Sequence, residues 1–350
     1  MISCTEFIPA YSELFKFIDE RSGRQAVYDY WNFLFQPEKS PLNDYLDEYK
    51  GLRGCWEYWS VIHVEEACDA TMIYNEDEGY HISCMHSCPS KGRFLKLTYM
   101  TPFEEYCHHC DGYEYSLEKH GLIQYNDFRG DEKACCRTLI INPRVFQGDP
   151  RKMVDELYAC EMKGCTAETI GCPFCRGNSL KLTTSPDNLK YMHRNFHVSM
   201  DRGAEYVLEK YGESGLRDYL AQFTKAFHVP TIENIREHGL PALKEYFLWL
   251  YETEEAPDAL SFQETEKELE VKISYCPAIR YFESIGYVPG KAFAACTSVV
   301  YEILAEAGGI GFRMGSYDEK TGACNFKFFV PEKQKKRSTY GKQNETQYVR

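Results

Sequence analysis

The chain has 350 residues, enough for two ordinary domains, and its 43% hydrophobic and 15% aromatic content can fill real cores, so it is not a disordered polymer. A formal charge of −13 repels phosphate backbones and argues against nucleic-acid binding, and no apolar run approaches the length of a membrane span. The opening stretch MISCTEFIPAYSELFKFIDERSGR lacks a basic start followed by an apolar core, so no signal peptide is expected and the reading is cytoplasmic. The 16 cysteines are then expected as metal ligands, reactive thiols or small buried hydrophobes rather than as disulfides.

In chain order, apolar residues at helical spacing predict helices over 24–35 and 41–62. Strands follow near 69–75 and 79–85, joined by the polar turn NEDEG. Cys88-Pro89 opens a short helix, because proline in a first helical turn has no intrahelical N–H bond to lose. A longer helix over 102–119 stops at Gly121, and strands at 122–129 and 134–141 close the unit.

After residues 146–198 the series begins again. Helices are expected at 215–227 and 231–251, and strands at 258–263 and 268–275. Cys276-Pro277 then opens a short helix, 290–307 forms a longer one ended by Gly308-Gly309, and strands at 310–317 and 322–330 finish the unit. Shifting the chain by 188 positions aligns 51–136 with 239–324 without a gap, and sixteen positions match, Cys88/Cys276, Pro89/Pro277, Glu66/Glu254 and Cys136/Cys324 among them.

The expected fold is therefore α+β: a tandem duplication whose copies, 1–145 and 199–332, each pack helices on an antiparallel sheet of about four strands. A Cys-rich insert, 146–198, separates them, and 333–350 is a basic, flexible tail. The copies are expected to pack as a pseudo-dimer or to pair their sheets.

The repeat sorts the cysteines. Each copy keeps a three-point set: Cys88, His108 and Cys136 in the first, Cys276, Cys296 and Cys324 in the second. Cys107 and Cys110 belong to the first copy alone, where the second has Ala295 and Ser298. Small buried hydrophobes would explain the shared cysteines as well as ligands or nucleophiles would.

The run CPAIRYFESIGYVPGKAFAAC, followed by a Gly-ended helix and GACNFKFF, resembles the L-2-amino-thiazoline-4-carboxylic acid hydrolase family, and the first copy resembles it more loosely. The resemblance implies a hydrolase that opens a C–N or C–S bond of a small heterocycle. It also implies an Asp after the middle Cys, a place Asp111 fills, whereas the second copy has Thr297, Ser298 and Val299. The closing strand is also similar to 4-vinyl-reductase-type domains, which implies a module that binds a small molecule or a metal without catalysis; a metal-stabilised scaffold or partner subunit of a larger complex is a further alternative.

In the hydrolase reading a Cys thiolate near His108 or His109 attacks, or a Cys/His-bound metal activates water; the catalytic candidates are Cys88, His108, Cys110, Cys136 and Glu66, with Glu114 and Glu118 as further proton carriers. Cys107, His109, Asp111, Cys276, Cys296 and Cys324 are the substrate-binding candidates. In the insert, Cys160, Cys165, Cys172 and Cys175 have spacing suited to four thiolates on one Zn²⁺; iron or an iron–sulfur cluster, or a redox dithiol at Cys172–Cys175, are the alternatives. His193 and His197, four apart, share a helix face, as a chelating pair or as one packed and one solvent-facing side chain. Expected partners are a small-molecule substrate or ligand and a second copy of the chain, with no nucleic acid and no membrane.

Overall fold

The computed structural model describes residues 1–161, 178–183 and 193–331. The fold is α+β, and its two halves repeat one order of elements. The first half runs α1 (Phe7–Ser22), α2 (Arg24–Leu34), α3 (Pro41–Tyr49), α4 (Gly51–Glu65), β1 (Asp69–Asn75), β2 (Tyr80–Ser87) and α5 (Lys91–Phe94). A 3-10 segment, Tyr106–Tyr113, then leads into α6 (Glu114–Lys119), β3 (Ile123–Gly130) and β4 (Cys135–Ile141). Helix α7 (Pro150–Glu161) and strand β5 (Asn178–Thr183) come next. The second half runs α8 (Phe196–Phe227), α9 (Val229–His238), α10 (Leu240–Thr253), β6 (Leu260–Glu264), β7 (Glu268–Ile273), α11 (Pro277–Ser284), α12 (Ala295–Gly308), β8 (Gly311–Tyr317) and β9 (Cys324–Phe329).

The two sheets are antiparallel and separate, with orders β3-β4-β2-β1-β5 and β6-β7-β9-β8. Apart from β5 they are the same sheet read from opposite ends. The halves therefore do not pair their sheets; they meet through helices. In both halves the long helix expected before the first strand is two helices. Gly51 (φ 53°) with Lys50 (φ 59°) breaks it in the first half, and Gly239 (φ 69°) breaks it in the second, since a left-handed residue ends a helix.

One helix was not anticipated. α1 precedes the region in which the repeat is visible, and its counterpart is the first part of α8, which is interrupted at Gly212 (φ 70°) as α1 is ended by Gly23 (φ 80°). Phe7 and Phe196, which open these two helices, stack with ring centroids 4.1 Å apart and planes 10° apart. A Cβ on Gly203 would meet Leu14, and farther along Ser22 Oγ lies 2.9 Å from the Tyr211 hydroxyl. Contacts at matching positions from start to end mean that the two helices run parallel about a pseudo-twofold axis between them.

Each half sends the segment before its first helix across this axis. The Cys4 N–H donates to Glu254 Oε1 at 2.6 Å, at the end of α10, and the Tyr246 hydroxyl donates to Glu6 Oε1 at 3.0 Å. In return His193 Nδ1 lies 2.6 Å from Glu65 Oε2, at the end of α4. Residues 1–4 are fully buried, and the core of the second half is continuous with α1 and α2.

The sheets differ in how they are covered. β7 alternates exposed and buried residues in the manner of a sheet with one wet face, whereas the first five residues of β2, Tyr80–Cys84, are all buried. The cause is α7, whose Val154 and Leu157 pack on Ile73, Ile82, Leu139 and Ile141, while α4 covers the opposite face. β5 pairs with β1, so part of the expected insert belongs to the first half. Cys165, Cys172 and Cys175 lie outside the described residues, and Cys160 is described only as backbone of α7. None of the described helices is long and apolar enough to cross a membrane.

Phe7 is 5% exposed at the crossing point, so Phe7→Ala is expected to cost about 3–5 kcal/mol. Urea unfolding followed by circular dichroism measures the loss.

Candidate functional site

In an antiparallel sheet, residues directly opposite each other share a face. The register of the first sheet therefore builds two rows across its helix-covered face. One row is Asn126–Thr138–Ser83 and the next is Gln124–Ile140–His81, with Cys136 opposite Met85 beyond them. The second half has the same register at the matching positions, and there the rows read Met314–Phe326–Val271 and Phe312–Phe328–Leu269, with Cys324 opposite Ile273. The backbone scaffold is shared; the first half lines it with amides, hydroxyls and imidazole, and the second fills it with aliphatic and aromatic side chains.

The polar rows are tied to the helices above them. His63 of α4 takes its Nδ1 proton to the Trp59 carbonyl at 2.7 Å, which leaves Nε2 to accept from Ser83 Oγ at 3.2 Å. Thr138 Oγ1 donates to Asn126 Oδ1 at 2.7 Å, and Asn126 Nδ2 donates to Asp111 Oδ1 at 2.7 Å. Gln124 Nε2 donates to the Cys110 carbonyl at 3.3 Å.

Among the described residues, His81 and the Gln124 carbonyl oxygen find no partner in this interior. Both ring nitrogens of His81 are buried and unbonded, and so is Gln124 Oε1. An unpaired buried polar atom costs about 1–3 kcal/mol, so their presence calls for a purpose other than stability. Burial pushes His81 down to about 3, with His63 adding to the effect, and pushes His63 down to about 4. Both imidazoles are neutral at pH 7.

The thiols lie at the other end of the same face. Cys88 sits at the entry to α5, with its backbone N–H bonded to the Ala134 carbonyl at 2.7 Å and its sulfur against the N–H groups of Ser90, Lys91 and Gly92. Cys88, Cys107, Cys110 and Cys136 lie near enough to oppose one another's ionisation. Burial, followed by that mutual repulsion, pushes Cys107 up to about 12 and Cys110 and Cys136 well above the ordinary thiol range. For Cys88, burial raises the pKa and the surrounding N–H groups partly offset it.

Cys110 has a specific partner. Its sulfur is 3.6 Å from His109 Nε2, while His109 Nδ1 bonds the Tyr106 carbonyl. A carbonyl only accepts, so Nδ1 carries the proton and Nε2 presents its lone pair to the thiol. Burial holds His109 below the ordinary imidazole range and keeps that lone pair free. A thiol, an imidazole nitrogen free to accept its proton and a carbonyl that orients the ring are the parts from which a nucleophile and its base could be built.

His108 faces away from these thiols. It is exposed, pairs with Asp111 Oδ2 at 2.9 Å and lies edge-on to Phe128, in an outer cleft shared with Tyr28, Trp31, Asn32, Glu105 and Glu114. The structure thus gathers Cys88 and Cys136 with Cys107 and Cys110, and leaves His108 outside; Asp111 joins the cleft to the interior. Glu66 caps α4, with its carbonyl bonded by Arg93 at 3.1 Å and its carboxylate 4.0 Å from the Cys68 thiol.

In the second half Cys276, Cys296 and Cys324 are buried around Met1. The Cys276 sulfur is 3.5 Å from Met1 Sδ, and the Met1 amine donates to the Tyr301 hydroxyl at 3.0 Å. Their space is filled by the chain's own first residues.

Among the described residues, three side chains hold metal-type donor atoms within 4.8 Å of one another: Cys4, His197 and Glu254. His197 was singled out by its spacing from His193, which instead pairs with Glu65; Cys4 and Glu254 carried no local signal. Family models, curated proteins and solved structures were compared with the chain, and none matches.

His81→Leu, which installs the residue that the second half has at Leu269, is expected to raise stability at pH 7 by about 1–3 kcal/mol. The wild type binds the His81 proton more weakly folded than unfolded, so its stability falls as pH drops from about 6.5 toward 3, by about 1.4 kcal/mol per pH unit for this group. Denaturant titrations at pH 7 and 5 should show His81→Leu losing less stability than the wild type between them.

Proposed function

We propose that the first half is a thiol-dependent hydrolase site for a small polar molecule, a heterocyclic or cyclic-amide-like compound whose C–N or C–S bond it opens, and that the second half is its structural partner. The observation that carries this reading is the Cys110–His109–Tyr106 arrangement. It stands beside a polar interior with unpartnered groups, and the second half has Ser298 and Thr297 in the places of Cys110 and His109.

Because Cys110 is held as a thiol, attack is coupled to proton transfer. The sulfur forms a bond to the carbonyl or imine carbon as its proton passes to His109 Nε2, and the π pair moves onto the substrate heteroatom. Collapse of that intermediate breaks the ring C–N or C–S bond, and the leaving atom takes the proton from His109. Water, giving a proton to His109, then displaces the Cys110 sulfur, which recovers that proton and leaves as the thiol. Among the side chains on the facing sheet, Gln124 and His81 have acceptor or donor positions to offer the ring.

A binding module without turnover is the second reading. It is favoured by the upward shift of Cys107, Cys110 and Cys136, which binding alone does not require to be reversed.

A panel of cyclic amides and thiazolines separates the two. Hydrolysis predicts turnover in the wild type, a covalent adduct mapped to Cys110 by mass spectrometry, and a loss of at least about 10³-fold in kcat in Cys110→Ser, with ligand-shifted melting retained. Ligand-shifted melting with no turnover and no adduct in the wild type would leave the binding reading.

A further inference from the structure

We propose that Cys4, His197 and Glu254 bind one Zn²⁺ ion, which clamps the crossing between the two halves. The three donors come from three elements: the turn before α1, the first turn of α8, and the end of α10. Their residues are only 1–2% exposed. The Cys4 sulfur is 3.3 Å from His197 Nε2, and that nitrogen is 3.1 Å from Glu254 Oε2.

Both contacts fall on the same ring nitrogen. A single proton between His197 Nε2 and one neighbour leaves the other neighbour without it. A catalytic Cys–His–Glu relay would instead use both nitrogens, one toward the thiol and one toward the carboxylate. A cation at the centre satisfies all three donors at once. Tetrahedral zinc with ordinary bond lengths sets donors about 3.6 Å apart for sulfur and nitrogen and about 3.3 Å apart for nitrogen and oxygen, close to the separations here. A thiolate, a neutral imidazole and a carboxylate around a dication also sum to zero charge, as a site this deeply buried requires.

The surroundings orient the donors toward one point. The Cys4 N–H holds Glu254 Oε1 at 2.6 Å, which leaves Oε2 for the centre. The Cys4 sulfur also lies 3.7 Å from the His193 carbonyl.

The repeat supplies a control. Across the pseudo-twofold axis the positions of Cys4 and His197 are taken by His193 and Ile8, and the carboxylate that meets His193 is Glu65, the residue before Glu66, the counterpart of Glu254. There His193 Nδ1 lies 2.6 Å from Glu65 Oε2 with Glu65 half-exposed, and the corner that matches His197 is the apolar Ile8. The fold therefore needs a polar contact at each crossing; a full set of three buried donors is found at one of the two, beyond what the fold asks.

Cobalt titration tests the proposal on the full chain carrying Cys172→Ser and Cys175→Ser, which remove two of the four candidate ligands expected in the insert. The expected result is one equivalent of Co²⁺ bound with a thiolate-to-metal charge-transfer band, displaced by one equivalent of Zn²⁺. Adding Cys4→Ser should abolish the band, and adding Glu254→Gln should weaken Co²⁺ binding at least 100-fold with the circular dichroism spectrum unchanged. If Cys4→Ser fails to fold, the Glu254→Gln affinity decides. No Co²⁺ binding in the parent, a band that survives Cys4→Ser, or an unchanged affinity in Glu254→Gln would each overturn the proposal.

Discussion

The stacking of Phe7 on Phe196 marks the point on which the rest of this structure depends. Two parallel helices meet there about a pseudo-twofold axis, and the segment ahead of each helix crosses into the opposite half. Cys4 and Glu6 bond to α10, His193 bonds to α4, and the first residues fill the interior of the second half. A crossing of this kind ties the halves together: the core of the second half closes on α1 and α2, whereas the first sheet is packed by its own α4 and α7.

That interdependence frees the halves to differ. The second half supplies a dense core in which the rings of Phe312, Phe326, Phe328, Phe247 and Tyr301 pack against one another, tilted or edge to face, on the sheet. The first half, with its sheet covered on both faces by α4 and α7, keeps the same strands and register but places His81, Ser83, Thr138, Gln124 and Asn126 where those hydrophobes stand. A cost in stability at the polar interior is offset by the packed half attached to it. The thiol and imidazole of Cys110 and His109 stand at the edge of that interior, with Gln124 bonded to the Cys110 carbonyl.

Much of this was legible along the chain. The gapless match of 51–136 with 239–324 revealed the repeat, and strand alternation with polar turns placed the strands of both sheets within a few residues. The contrast between His81 and Leu269, or Thr138 and Phe326, was visible in the same match, but its meaning depends on knowing that those residues share one covered face. α1 escaped because its likeness to α8 is offset by one residue from the main repeat and is carried by shape more than by identity. The long helices were split by Gly51 and Gly239, which read as ordinary glycines until their positive φ is seen. Cys4 and Glu254 lie 250 positions apart and are joined only by the crossing, so no spacing rule connects them.

The most direct test of the interdependence is native-state hydrogen exchange on the intact chain. Backbone amides of α1, of the first part of α8 and of strands β7 and β9 should open with one free energy, equal to that of global unfolding, because they share one continuous core. Exchange of α1 through a lower-energy opening that leaves β7 and β9 fully protected would contradict the account.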